Sequence, residues 1–204
     1  MIRTLAVSLI LIGGSMVAYN AYQWWDQIHI AVKDPELAMA IAEDWNNREK
    51  EPSKEKGTDL SFKPEKGDQI GELVIPRIGA ALPIIYGTDD PQLSKGVGQY
   101  IGYGTVLPGE SGHSVLAGHR ETTFRRAGEL KKGDKIYVKM KGYTHTYQIR
   151  KTFIVDKDDR SVIVAHDQPD MSLITCYPFN LVGSAPERYI IRADLIESKK
   201  NSDS

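Results

Sequence analysis

No second cysteine accompanies Cys176 in this chain of 204 residues, which excludes both an intramolecular disulfide and a Cys-rich zinc cage. A basic excess is lacking too. With a formal net charge of -1 the chain has no surplus to neutralise phosphates, so nucleic acid is excluded as an expected partner. Lysines cluster only locally, at Lys131-Lys132 and from Lys139 to Lys141, as on a solvated strand face. Asp156, Asp158 and Asp159 are interleaved with Lys157 and Arg160, which reads as a solvated loop and demands no metal. There is no internal repeat at a solenoid period.

What is present divides the chain into four parts. From Thr4 to Tyr22 the sequence is almost continuously apolar, long enough to span a bilayer core, with Arg3 before it and Tyr19, Tyr22, Trp24 and Trp25 where an interface would lie. Residues 1-25 are therefore expected to be a single-pass signal-anchor in the cell membrane, with a cytoplasmic N-terminus and an extracellular domain. Ala18-Tyr19-Asn20-Ala21 offers no clean A-x-A cleavage site. Asp34-Pro35-Glu36 then signals a short helix, and Arg48 to Lys66 is charged, with little apolar beyond Leu60 and Phe62, so 26-68 reads as helix and spacer. A globular domain over 69-197 and a polar tail over 198-204 complete the chain.

Within the domain, β-prone runs recur between turn signals: Ile70 to Ile75, Leu82 to Tyr86, Ser114 to Ala117, Lys135 to Met140, Thr144 to Val155, Val162 to Val164, Leu173 to Cys176 and Tyr189 to Ile196. Lys141-Gly142 and Gly133-Asp134 are hairpin-type turn signals, and Asp90 through about Val97 reads as a helical turn. The fold class is all-β, a barrel or sandwich with antiparallel or mixed pairing.

Cys176 stands at the end of an apolar run, before Tyr177-Pro178. It is either a small buried hydrophobe or a nucleophile displayed where a strand opens into a loop. A nucleophilic thiol requires a base and donors for the oxyanion. His29 lies beside the membrane segment, His145 sits mid-strand where a solvent-facing or cross-strand role is expected, and His166 falls in a loop. His113 and His119 bracket one apolar run, and His119 stands at its C-terminal end, after Gly118 and before Arg120. Arg188 opens another strand after a Pro-bearing loop; a surface ion pair with Glu187 or Glu197 is its other reading.

Together these strings resemble the motifs of a known family. Gly118-His119-Arg120 is similar to the histidine motif of sortases, Leu173-Ile174-Thr175-Cys176 to their cysteine motif, and Glu187-Arg188-Tyr189-Ile190 to their arginine strand, in the family's order. The resemblance implies a closed sortase-like β-barrel of about eight strands with short helices, preceded by the membrane anchor. It implies a cysteine transpeptidase in which Cys176 attacks the threonine carbonyl of an LPxTG- or LPxTA-like sorting signal, His119 acts as acid and base, and Arg188 stabilises the oxyanion. Ala117 and Thr175 would line the substrate groove. The implied partners are surface-protein sorting signals and a cell-wall precursor amine. No obligatory cofactor is implied, although some members bind calcium near the groove. Tyr177-Pro178 and the compact domain look most like class D members, with class E the next subclass. A membrane-anchored cysteine peptidase using water, or a non-catalytic surface β domain, are the competing readings of the same residues.

Overall fold

The computed structural model describes residues 2-30, 32-33, 50-53, 57-180 and 183-201. Helix α1 runs Ile2–Ile30, and its stretch Arg3–Trp25 is long and apolar enough to cross a membrane. Apolar residues emerge on every side of it, Leu9 and Ile10 among them, and remain exposed. Its polar side chains fold back on the helix: Ser8 Oγ donates to the Thr4 carbonyl at 3.0 Å, Ser15 Oγ to Leu11 at 2.8 Å and Asn20 Nδ2 to Met16 at 2.8 Å. Such bonds spare polar atoms from meeting hydrocarbon unpaired. The expected helix after Asp34 lies outside the described residues.

Eight strands make the domain: β1 Gln69–Ile75, β2 Ala80–Tyr86, β3 Val97–Gln99, β4 His113–Ala117, β5 Lys135–Met140, β6 Tyr143–Asp156, β7 Asp170–Tyr177 and β8 Glu187–Lys200. Their spatial order is β2-β1-β5-β6-β8-β7-β4-β3, and β3 pairs back onto β2, so the sheet closes into the expected barrel. Val32–Lys33 adds a two-residue pairing to β2. Lys141 and Gly142, with φ of 50° and 77°, take the left-handed conformations that a tight β5–β6 hairpin needs. Gly133-Asp134 instead turns the chain into β5, where the Asp134 carboxylate accepts the Lys131 N–H at 2.8 Å and pairs with Arg77.

Inside the barrel, alternate residues of each strand meet in one core that includes Leu73, Ile75, Leu82, Ile84, Leu116, Ile136, Ile149, Met171, Leu173 and Ile191. Alternation puts Met171, Leu173 and Thr175 inside and leaves Ser172, Ile174 and Cys176 on the outer face of β7.

Three expectations need correction. Val162 to Val164 is not a strand. Its carbonyls are taken by side chains instead of a ladder: Arg192 Nη2 donates to Val162 O at 3.1 Å and His113 Nδ1 bonds Val164 O at 3.0 Å. The run lies in the β6–β7 loop, fastened over the outer face of β4, β7 and β8. The helix at Asp90 ends at Leu93, and Val97–Gln99 is the strand that seals the barrel. Spacer and tail are also drawn into the fold. Leu60 and Phe62 pack against the core, Lys141 Nζ sits 3.6 Å from the Phe62 ring centre, Ser53 N donates to Leu195 O at 2.8 Å, and Thr58 N to Gly109 O at 2.7 Å. Ser198 to Lys200 continue β8, where Ser198 Oγ meets His145 Nδ1 at 2.8 Å.

Candidate active site

Three strands position the candidate residues. β4 and β7 are parallel neighbours, with Leu116 beside Leu173 and Ala117 beside Ile174. Two residues further along each chain stand His119 and Cys176, so equal counting brings them to the same level at one end of the barrel. On its other side β7 pairs antiparallel with β8, and the register sets Cys176 opposite Arg188. Directly opposed residues in such a pair carry their Cβ atoms about 5 Å apart on the same face. Residues distant along the chain are therefore gathered by strand register alone.

The turn that carries His119 is anchored to β7. Gly118 N–H donates to Ile174 O at 3.1 Å, and Thr175 Oγ1 donates to Gly118 O at 2.8 Å. His119 O accepts the Phe124 N–H at 2.9 Å, closing the turn. A side chain at Gly118 would meet the Phe124 ring at 2.8 Å, so the missing Cβ is what seats Phe124 against this turn. Thr175, expected to line the groove, turns inward and is 3% exposed. Its apolar neighbours on both faces concealed that direction. Ala117 is half-buried on the outer face, beside Ile174.

Cys176, His119 and Arg188 are each half-buried, so the thiol is neither sealed in the core nor fully solvated. Arg188 Nη1 donates to Glu187 O at 3.0 Å and Ala185 O at 3.3 Å, backbone carbonyls a substrate oxygen could replace, while Glu197 pairs with Lys50 at 2.8 Å. Behind the site, on the inner face, Tyr177, Phe179 and Tyr189 pack together, with Phe179 edge-on to both tyrosines at 5.5 and 5.3 Å. That cluster braces the strand ends carrying Cys176 and Arg188.

The other three histidines of the barrel, His113, His145 and His166, serve the frame. His145 is buried across from Ser198, and burial alone pushes it down to about 4. His113 is buried between Val164 O and Ser172 Oγ and is likewise pushed down to about 4, chiefly by burial. Since Nδ1 must donate to the carbonyl, Nε2 accepts from Ser172. His166 stacks on His113 at 4.5 Å and pairs with Asp170 at 2.6 Å, where burial holds the Asp170 carboxyl above its usual range. The ligand atoms of His113, His166 and Asp170 lie within 4.8 Å of one another. Yet the rings are parallel within 12° and both nitrogens of His113 are engaged, so their lone pairs do not converge on a common point. The set fastens the β6–β7 loop at the end of β7 remote from Cys176.

A family model described as the sortase domain matches residues 73-196. Sortase D of Bacillus subtilis is 53% identical over 132 residues, covering 64% of this chain and 66% of that protein, just under two thirds of its length. Sortase A of Bacillus anthracis is 27% identical across 95% of this chain and 94% of its own. Among solved structures, the catalytic domain of B. anthracis SrtD superposes with a TM-score of 0.60 at 37% identity, covering 74% of this chain and all 100% of that one. A Clostridium perfringens sortase D5 transpeptidase gives 0.59 at 29% identity, over 66% and 83% of the two chains. With a barrel of this topology, whose strand ends bring the cysteine, histidine and arginine to one edge, the chain belongs to the sortase family of cysteine transpeptidases, with class D members among its relatives.

Proposed function

We propose that this chain cleaves an LPxTG- or LPxTA-like sorting signal after its threonine and joins the released carboxyl to a cell-wall precursor amine. The carrying observation is the register that sets Cys176 against Arg188 while Gly118 ties the His119 turn to β7. The Cys176 thiolate adds to the threonine carbonyl carbon, and the carbonyl electron pair moves to oxygen, which the Arg188 guanidinium receives as a charge-assisted donor. His119 protonates the departing amine nitrogen as the C–N bond breaks, leaving a thioester on Cys176. An incoming amine adds to the same carbon, His119 removes its proton, and the tetrahedral species collapses to a new amide and the free thiol. Ala117 and Ile174, beside Cys176 on the outer face, form the floor on which the signal lies. Thr175 acts from below by holding Gly118.

Anchoring fits this role. Arg3 keeps the start of α1 in the cytoplasm, and the barrel then stands outside, where sorting signals and wall precursors meet it. The test uses a sorting-signal peptide with and without an amine acceptor. Thioacyl enzyme and amide-linked product are expected from the unaltered chain, and neither from Cys176→Ala or His119→Ala. Carboxylate product alone under saturating amine would instead make the chain a peptidase that uses water.

A further inference from the structure

We propose that Arg120 is a positioning residue that locks the distance between His119 and Cys176. Its side chain is 1% exposed, although its acidic partner Glu121, at 2.7 Å from Nε, is 54% exposed. Two further donors cross to the β7–β8 loop: Nη1 to Pro178 O at 3.1 Å and Nη2 to Gly183 O at 2.6 Å. Both neighbours of His119 are thus bonded to segments that flank Cys176. Gly118 holds Ile174 and Thr175 before it, and Arg120 holds Pro178 after it. His119 cannot slide along β7 in either direction without breaking one of these bonds.

Burying a cation opposes stability unless its hydrogen bonds are made, and an apolar side chain of similar volume would fill the same space without that penalty. The guanidinium supplies something such a side chain cannot: a planar fork with fixed donor directions, reaching two carbonyls of one loop and a carboxylate of its own turn at once. A lysine offers a compact charge on a flexible stem and cannot span all three. Fixed spacing matters here because His119 serves as acid in one half-reaction and as base in the next. The imidazole must keep its place while the thioester waits.

This inference rests on the proposed transpeptidase reading, so its test includes a readout that needs no sorting signal. The full-length chain in detergent, with Arg120→Lys and Arg120→Gln, is followed by circular dichroism, by iodoacetamide alkylation of Cys176 against pH, and by kcat and KM for a sorting-signal peptide. Folded variants are expected to lose about 100-fold in kcat, the scale of a 1 Å misplacement, with KM within about threefold. The midpoint of the alkylation curve should move in both variants, and Lys should recover no more than Gln. Folded variants with the unaltered curve and kcat overturn the proposal, as does a loss confined to KM. Failure of both variants to fold overturns it as well, because Arg120 would then be a structural residue. If the unaltered chain turns over no sorting peptide but Arg120 still governs the alkylation curve, the substrate reading fails and the positioning role stands.

Discussion

Gly118 and Thr175 do more to hold the His119 turn than their small size suggests. A Cβ at Gly118 would lie 2.8 Å from the Phe124 ring and 3.2 Å from Thr123 Cγ2, with Phe124 itself 1% exposed and unable to retreat. Gly118→Ala is therefore expected to destabilise the domain by about 1–3 kcal/mol in urea unfolding, the usual range for overpacking. Thr175→Val removes the hydroxyl that donates to Gly118 O and leaves that carbonyl unpaired, again worth about 1–3 kcal/mol. If turnover by Thr175→Val equals that of the unaltered chain, the Gly118 bond has no part in placing His119. His119 and Cys176 stood out in the sequence because each sits where an apolar run ends, and Arg188 because it opens one. The direction of Thr175 did not, since Leu173 and Ile174 are apolar on both faces of β7 and erase the alternation that tells inside from outside.

Among the elements, long strands announced themselves and short or borrowed structure did not. β5, β6 and β8 carry enough β-prone residues to be read directly, whereas Val97–Gln99 is too short for any periodicity. The apolar run at Val162 to Val164 misleads because its backbone partners are the side chains of Arg192 and His113, which no local pattern encodes. Residues 50-53 show the same limit: charge marked them as a tether, while Lys50 N bonds Gln148 Oε1 at 3.1 Å and Arg150 Nη2 bonds Lys50 O at 2.8 Å. Arg150 also bonds Asp194 at 2.9 Å, so one side chain fixes the strap to two strands. Arg150→Ala should raise limited proteolysis near residue 50 about tenfold, as losing about 1.4 kcal/mol of docking implies. An unchanged cleavage rate would mean that the strap is held elsewhere.

At the scale of the whole molecule, buried histidines tie stability to acidity. His113 and His145 are held near 4 by burial, against an ordinary 6.5, so the unfolded chain takes up protons first as pH falls. Stability from these groups is complete above about 6.5 and is lost as pH falls toward about 4, by up to about 3 kcal/mol for each histidine. Asp170, raised by burial, works with the opposite sign above its ordinary 3.8, because the folded chain then holds a proton that the unfolded chain has released. His145→Gln isolates one contribution. Its urea midpoint should fall less between pH 7 and pH 4.5 than that of the unaltered chain, and parallel profiles would show that His145 titrates without resistance.

The seam at β3 gives the barrel an uneven stiffness. β3 meets β4 only through the pairings of Gly98 with Ala117 and Gln99 with Leu116, whereas β7 is laddered along its whole length to β8. Local opening should therefore begin at the seam, and amides of residues 97-99 and 116-117 should exchange with deuterium sooner than those of 171-176. Such breathing reaches the imidazole's strand before the thiol's. β4 itself stays laddered to β7 through Ala117, and the His119 turn stays tied to Ile174 and Thr175, so the seam opens between β3 and β4 without parting the imidazole from the thiol.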